Sequence, residues 1–171
     1  TKEELVQRGA GNIRRCLSRK ITKGKLTQDT YDDILSRFAG MTDIGAAKGS
    51  IMVVEAVFEK IELKHEIFEK LDTLCATDVI LASNTSTLSI TEIAKATKNP
   101  QRVIGTHYFS PVPVMKLVEV IRGKETSDPI TEKTADICAK FGKTPIIVKD
   151  IPGFIVNRFL CLLYNEAANM I

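Results

Sequence analysis

The sequence predicts an α/β fold, doubly wound about a mostly parallel sheet. Three observations carry that expectation. Short, wholly apolar runs recur, as in "IMVV" at 51–54 and "VILA" at 79–82, the texture of strands covered on both faces. Between them lie segments of about ten to fifteen residues with helical apolar spacing, and such alternation builds parallel strands joined by crossover helices. The 171 residues leave room for one domain with a real core, or for one domain and the start of another.

The elements follow in order. Leu5, Ile13, Leu17 and Ile21 stand at near-helical spacing in residues 2–22. Lys23-Gly24-Lys25 ends that helix, and Thr27 caps a second, Gln28 to Phe38, carrying Tyr31, Ile34 and Leu35. The strand at 51–54 leads into a helix with Ile61, Ile67, Phe68, Leu71 and Leu74 inward. Residues 79–82 form the next strand and Ile90 to Thr97 a helix. Val103 to Phe109 and Lys116 to Ile121 read as strands flanking the proline-rich turn "SPVP". Pro129 to Phe141 is helical, Thr144 to Val148 a strand, and one long apolar helix is predicted from Gly153 onward. "KDIPG" at 149–153 is the candidate domain junction. It assigns 1–150 to the sheet domain and 151–171 to the start of a helical domain cut off at Ile171.

Bulk properties exclude several classes. A hydrophobic share of 44% with 26% charged residues is that of a globular chain. No apolar run approaches the roughly 20 residues of a membrane helix. "TKEELVQR" is no secretory signal, and because the chain does not begin with Met its start is expected upstream. Four cysteines, Cys16, Cys75, Cys138 and Cys161, form no CxxC pair. They predict reduced thiols in an intracellular compartment, and no metal site is expected. A net charge of +3 argues against nucleic acid. From Arg8 to Lys25 there are seven basic residues and no acid, which is either a solvated helix face or a surface for a phosphate-bearing ligand. "GAGN" at 9–12 imitates a dinucleotide loop. It lacks the preceding apolar strand, and Arg14 stands where the third small residue belongs. It is a decoy.

The residues that carry chemistry are few. Of two histidines, His65 lies on a charged helix face, whereas His107 ends the apolar strand in "IGTHYFSP". Alternation places Glu119 of "KLVEVI" on one side of its strand with Leu117 and Ile121. A carboxylate on a buried face must be neutral or paired, and His107 on the preceding strand is the nearest candidate. A carboxylate on one imidazole nitrogen fixes the tautomer and makes the other nitrogen a base. "ASNTST" follows a buried strand, so Asn84, Thr85 and Ser86 would offer donors at the crevice mouth, or simply form a turn and helix cap. Asn157 interrupts the apolar helix and either satisfies backbone groups or points into a site.

"VVEAVFE", "LASNTSTLSI", "RVIGTHYFSPVPVMKLVEVIRG" and "DIPGFIVNR" together resemble the L-3-hydroxyacyl-CoA dehydrogenases, from about Ile13 to the last residue. The resemblance implies a Rossmann-type domain using NAD, with His107 as general base and Glu119 orienting it. It implies that Ser86 and Asn157 meet the substrate's 3-oxygen, and that Glu59, Lys64, Asn84, Ser86 and Ser110 face the cofactor. Lys23, at the end of the basic helix, matches the region that meets the CoA phosphates. Ser110 departs from the Asn of many relatives but can still hydrogen-bond. The family's opening strand, glycine-rich loop and acid for the adenine ribose are not in this sequence. The chain on its own is therefore expected to be inactive, with the pyrophosphate site missing.

The implied reaction is oxidation of an L-3-hydroxyacyl-CoA to the 3-ketoacyl-CoA with NAD, in fatty-acid β-oxidation or butanoate metabolism. The implied assembly is a homodimer, in the cytoplasm of a prokaryote or the mitochondrial matrix of a eukaryote, without membrane insertion. One alternative is a non-catalytic or regulatory domain that keeps the fold; His107, Glu119 and Asn157 being present together weighs against it. Another is the dehydrogenase part of a fused multifunctional β-oxidation protein. A nucleic-acid module on the basic helix is opposed by the low charge and by the lack of aromatic residues there.

Overall fold

The computed structural model describes residues 2–171. The chain falls into two compact units, one ending at Ala46 and a larger one, Ala47–Ile171. In the first unit, α1 (Glu3–Thr22) ends with Lys25 N donating to Lys20 O and Gly24 N to Ile21 O. Gly24, at φ +65°, supplies the left-handed residue such a terminus uses. Thr27 caps α2 (Gln28–Ser36) by accepting from Thr30 N. Gly9 and Gly11 lie inside α1, where their amides serve the helix, so they form no phosphate loop.

The second unit holds a five-stranded sheet in the order β1-β2-β3-β4-β5. The strands are β1 (Met52–Glu55), β2 (Ile80–Ser83), β3 (Val103–Tyr108), β4 (Leu117–Arg122) and β5 (Thr144–Lys149). All pairings are parallel except β3 with β4. Helices cover both faces, as the α/β reading predicts. On one face α3 (Ile61–Leu74) and α4 (Ile90–Ala94) cover a core of Phe68, Leu71, Leu81, Ile90, Ile93, Val103 and Ile121. On the other, α5 (Asp128–Lys140) packs Cys138 into a cluster with Ile80, Ala82, Ile104, Val118 and Val120. In α3 the buried Phe68 and Leu71 and the half-buried Ile61, Ile67 and Leu74 lie on one helical stripe. The same four cysteines are all unpaired thiols. None of the described helices is long and apolar enough to cross a membrane.

The structure corrects three expectations. β1 is not covered on both faces: it is an edge strand among the described residues, and Val54 is exposed. Helix α4 ends at Ala94 rather than Thr97. The closing helix, α6 (Val156–Asn169), begins three residues later than Gly153. Gly153 and Phe154 both have positive φ, +77° and +51°, so the chain makes a left-handed turn before it can become helical.

Candidate active site

Parallel pairing brings the carboxyl ends of β1, β2 and β3 to one side of the sheet, the side where open α/β sheets bind ligands. Because β4 runs the other way, its third residue reaches the same region, and Glu119 stands directly opposite His107 in the register. Cβ atoms of such pairs are about 4.5–5.5 Å apart, within side-chain reach. The side chains meet: His107 Nδ1 lies 2.8 Å from Glu119 Oε2. Both are buried, at 5% and 0% exposure. Oε1 of Glu119 accepts from the amides of Ile155 and Val156, at 2.9 and 3.0 Å. The carboxylate thus bridges the imidazole and the first amides of α6. Three hydrogen bonds compensate its burial.

The carboxylate, as acceptor, places the proton on Nδ1 and leaves Nε2 as the lone-pair nitrogen. Nε2 has no hydrogen-bond partner among the described residues and is not a fully enclosed atom. The rings of Phe109 and Phe154 flank the imidazole at centroid distances of 4.6 and 5.8 Å. Gly105 lets the face behind it close up. A Cβ there would stand 2.8 Å from both Ile121 Cβ and Ile90 Cδ1, so any larger residue would force these core side chains apart.

Beside this pair lies the loop after β2. Asn84 Oδ1 accepts from Tyr108 N at 3.0 Å, which ties the loop to β3 and leaves the amide Nδ2 without a partner. Glu59 Oε1 gathers the next residues, accepting from Ser86 N at 2.9 Å, from Thr87 N at 3.2 Å and from the Thr85 hydroxyl. The Ser86 hydroxyl remains unpaired, while Ser86 O accepts from Asn157 Nδ2 at 3.1 Å. Burial alone would raise the Glu59 pKa. The hydrogen bonds from Thr85 and Ser86 and the charge of Lys64 outweigh it and hold the group down at about 2. Glu59 is therefore an anion at neutral pH with 38% of its side chain open to solvent.

Two buried groups support Glu59. Lys64 is 0% exposed, and its ammonium reaches Glu55 Oε1 and Oε2 at 2.9 and 3.0 Å and Glu59 Oε2 at 3.2 Å. An ammonium has three protons, so Lys64, expected to face the cofactor, has none to spare and acts through Glu59. Glu55 ends β1, also accepts from Ser83 Oγ at 2.6 Å, and was not singled out in the sequence. The signal was present: a carboxylate closing an apolar strand, where burial demands a partner.

The structure thus gathers Glu59, Lys64, Asn84, Ser86, His107, Glu119 and Asn157 around one end of the sheet. Ser110 is exposed, with no side-chain hydrogen bond. Lys23 closes α1 in the first unit. His65, on the charged face of α3, stays half-buried, and its Nε2 lies 2.9 Å from Glu92 O, tying α3 to α4. The donor set fits a sugar with free hydroxyls, such as a dinucleotide carries. Asn84 Nδ2 and Ser86 Oγ are free donors, and Glu59 is an anionic acceptor for sugar hydroxyls. It does not include a glycine-rich turn for the pyrophosphate.

A carboxylate-braced imidazole beside a polar loop at the strand ends is an arrangement that can take up and return a proton next to a bound ligand. Residues 1–151 match the family "3-hydroxyacyl-CoA dehydrogenase, NAD binding domain", and the chain belongs to that family, whose cofactor is NAD. It is 42% identical over 173 residues to 3-hydroxybutyryl-CoA dehydrogenase of Clostridioides difficile, covering 97% of this chain and 62% of that protein. The crystal structure of (S)-3-hydroxybutyryl-CoA dehydrogenase from Ralstonia eutropha superposes with a TM-score of 0.94 at 43% identity, over 97% of this chain and 59% of that one. The fatty acid oxidation complex subunit alpha of Shewanella loihica is 44% identical over 155 residues, 91% of this chain and 22% of that protein. The chain therefore spans only about three fifths of the length of the two 3-hydroxybutyryl-CoA dehydrogenases, 62% and 59%, and 22% of the oxidation-complex subunit.

Proposed function

We propose that the polypeptide carrying this chain interconverts L-3-hydroxyacyl-CoA and 3-ketoacyl-CoA. The observation that carries the reading is the 2.8 Å contact of His107 Nδ1 with Glu119, with Nε2 left open. NAD, when bound, supplies the hydride acceptor. His107 Nε2 takes the proton of the substrate's 3-hydroxyl, and Glu119 balances the imidazolium. The Ser86 hydroxyl and the Asn157 side-chain amide hold the oxygen as its charge changes. A placed base contributes about 10²–10⁴-fold, and each preorganised donor about 10²–10³-fold. Glu59 and Asn84 orient the ribose end of the cofactor, with Lys64 fixing Glu59. Ser110 is assigned to the cofactor side and Lys23 to the CoA phosphates.

Residues 151–171 are read as the start of a helical domain that completes a homodimer. The short-chain substrates named for the stand-alone relatives make a 3-hydroxybutyryl-CoA the first choice. The subunit-alpha relatives support a place in a larger β-oxidation protein as the second reading. The direct experiment is oxidation of NADH by acetoacetyl-CoA, run on the complete natural polypeptide and on the 171-residue chain. Turnover is expected in the complete polypeptide and little or none in the chain alone. A complete polypeptide that binds NADH yet leaves acetoacetyl-CoA unreduced would overturn the reading.

A further inference from the structure

Asp150, the residue after β5, belongs to none of the groups above, yet its carboxylate accepts four hydrogen bonds. Oδ2 accepts from Ser89 Oγ at 2.7 Å, Thr91 N at 2.8 Å and Thr91 Oγ1 at 2.6 Å, and Oδ1 accepts from Ile90 N at 3.0 Å. Four donors, all 59–61 residues earlier in the chain, meet this one carboxylate, three on Oδ2 and one on Oδ1. Thr91 Oγ1 also accepts from Lys124 N at 3.0 Å, so the turn after β4 joins the same knot.

The importance of this knot lies in what the two joined segments carry. Residues 84–91 lead from β2 into α4, and residues 150–157 lead from β5 into α6. They run antiparallel side by side, with Ser86 meeting Asn157 at one end and Ser89 to Thr91 meeting Asp150 at the other. The Ser86–Asn157 end is a single uncharged bond of 3.1 Å. The Asp150 end is charge-assisted and fourfold, hence much the stronger.

Between the two ends sits Phe154, 1% exposed, at φ +51° and against His107. An aromatic residue in that conformation persists only where its surroundings over-determine it. Asp150 anchors the chain before it, and Glu119 anchors the chain after it through the Ile155 and Val156 amides.

We infer that Asp150 is a positioning residue: by clipping residues 150–157 to residues 89–91, it keeps Asn157 against Ser86 and Phe154 seated on the imidazole. Its kinetic consequence rests on the proposed reaction; its geometric consequence does not. The test compares Asp150→Ala and the milder Asp150→Asn with wild type in the complete natural polypeptide. For reduction of acetoacetyl-CoA, kcat is expected to fall on the order of 10- to 100-fold, about the size of effect that a 1 Å misplacement produces. KM for NADH is expected to stay within about twofold, because Asn84 keeps its bond to Tyr108 N and Glu59 its ion pair with Lys64. The deuterium isotope effect on kcat should rise as hydride transfer becomes limiting.

A lowered melting midpoint with kcat unchanged well below it would reduce Asp150 to a strut and overturn the inference. Where Asp150→Ala does not fold, Asp150→Asn decides on the same criteria. Independently of turnover, the nuclear Overhauser contact between the Asn157 side-chain amide and Ser86 should be lost in folded Asp150→Asn. Its persistence would overturn the inference. A wild type that lacks turnover but loses this contact on substitution would instead sink the proposed reaction and leave the positioning role standing.

Discussion

Glu119 works through both of its oxygens, and this decides what a neutral replacement does. In Glu119→Gln the side-chain carbonyl can still accept from Ile155 N and Val156 N, but the amide nitrogen then points at His107 Nδ1 as a donor. The imidazole must answer with its lone pair on Nδ1, which puts the proton on Nε2 and removes the base. Turnover should fall on the order of 10²- to 10⁴-fold with the fold retained. Activity within a few-fold of wild type would contradict the pairing. Glu59 gives a pH test. Its pKa is about 2, below the ordinary 4.5, so the ionised form favours the folded loop. That stabilisation is complete above pH 4.5 and is lost as pH falls toward 2. A carbon-13 titration of the Glu59 carboxyl should show a midpoint near 2, with the Ser86 amide shift following it. A midpoint near 4.5 would show that the loop is not held this way. The histidine pair was legible because strand alternation and two adjacent strands were enough to bring it together. Asp150 was not, because its donors lie some 60 residues away and no local pattern announces them.

At the scale of elements, the left-handed turn before α6 is the piece that places Asn157. Gly153 sits at φ +77°, and a Cβ there would come within 3.0 Å of Arg158 N and 3.3 Å of Arg158 Cα. Gly153→Ala should therefore cost the roughly 1–2 kcal/mol of a left-handed non-glycine residue. It should add a further strain from the backbone contact, since Arg158 N is committed to Gly153 O at 2.9 Å. Urea unfolding would read the loss, and an unchanged midpoint would mean that the turn is not constrained. The apolar run after Gly153 reads as helix from its first residue because hydrophobic spacing does not report φ. Phe154 holds its positive φ while its ring packs against His107. For β1, the four-residue apolar run was read correctly as a strand, but whether its faces are covered depends on neighbours that the strand's own sequence does not specify. α4 is short for a physical reason too: the amides of Lys95, Ala96 and Thr97 turn to the carbonyls three residues back, and Lys98 N then leaves for Asp72 Oδ2 at 2.7 Å.

At the scale of the molecule, the sheet is what turns scattered residues into a site. Glu55, Ser83, Asn84 and His107 come from three adjacent strand ends, and Glu119 enters because β4 is the one antiparallel neighbour. The strand–helix alternation made that architecture readable, and the resemblance made the family readable. The linkages between distant segments emerged only from the coordinates: Glu59 to the Ser86 loop, Glu119 to α6, and Asp150 to α4. The central proposal is that His107 takes the substrate's hydroxyl proton in oxidation and returns it in reduction. Its most direct test is the single-turnover rate of acetoacetyl-CoA reduction by the complete natural polypeptide with NADH, wild type against His107→Gln. The expected result is a rate lower by about 10²–10⁴-fold with NADH binding unchanged. A His107→Gln rate within a few-fold of wild type would contradict it.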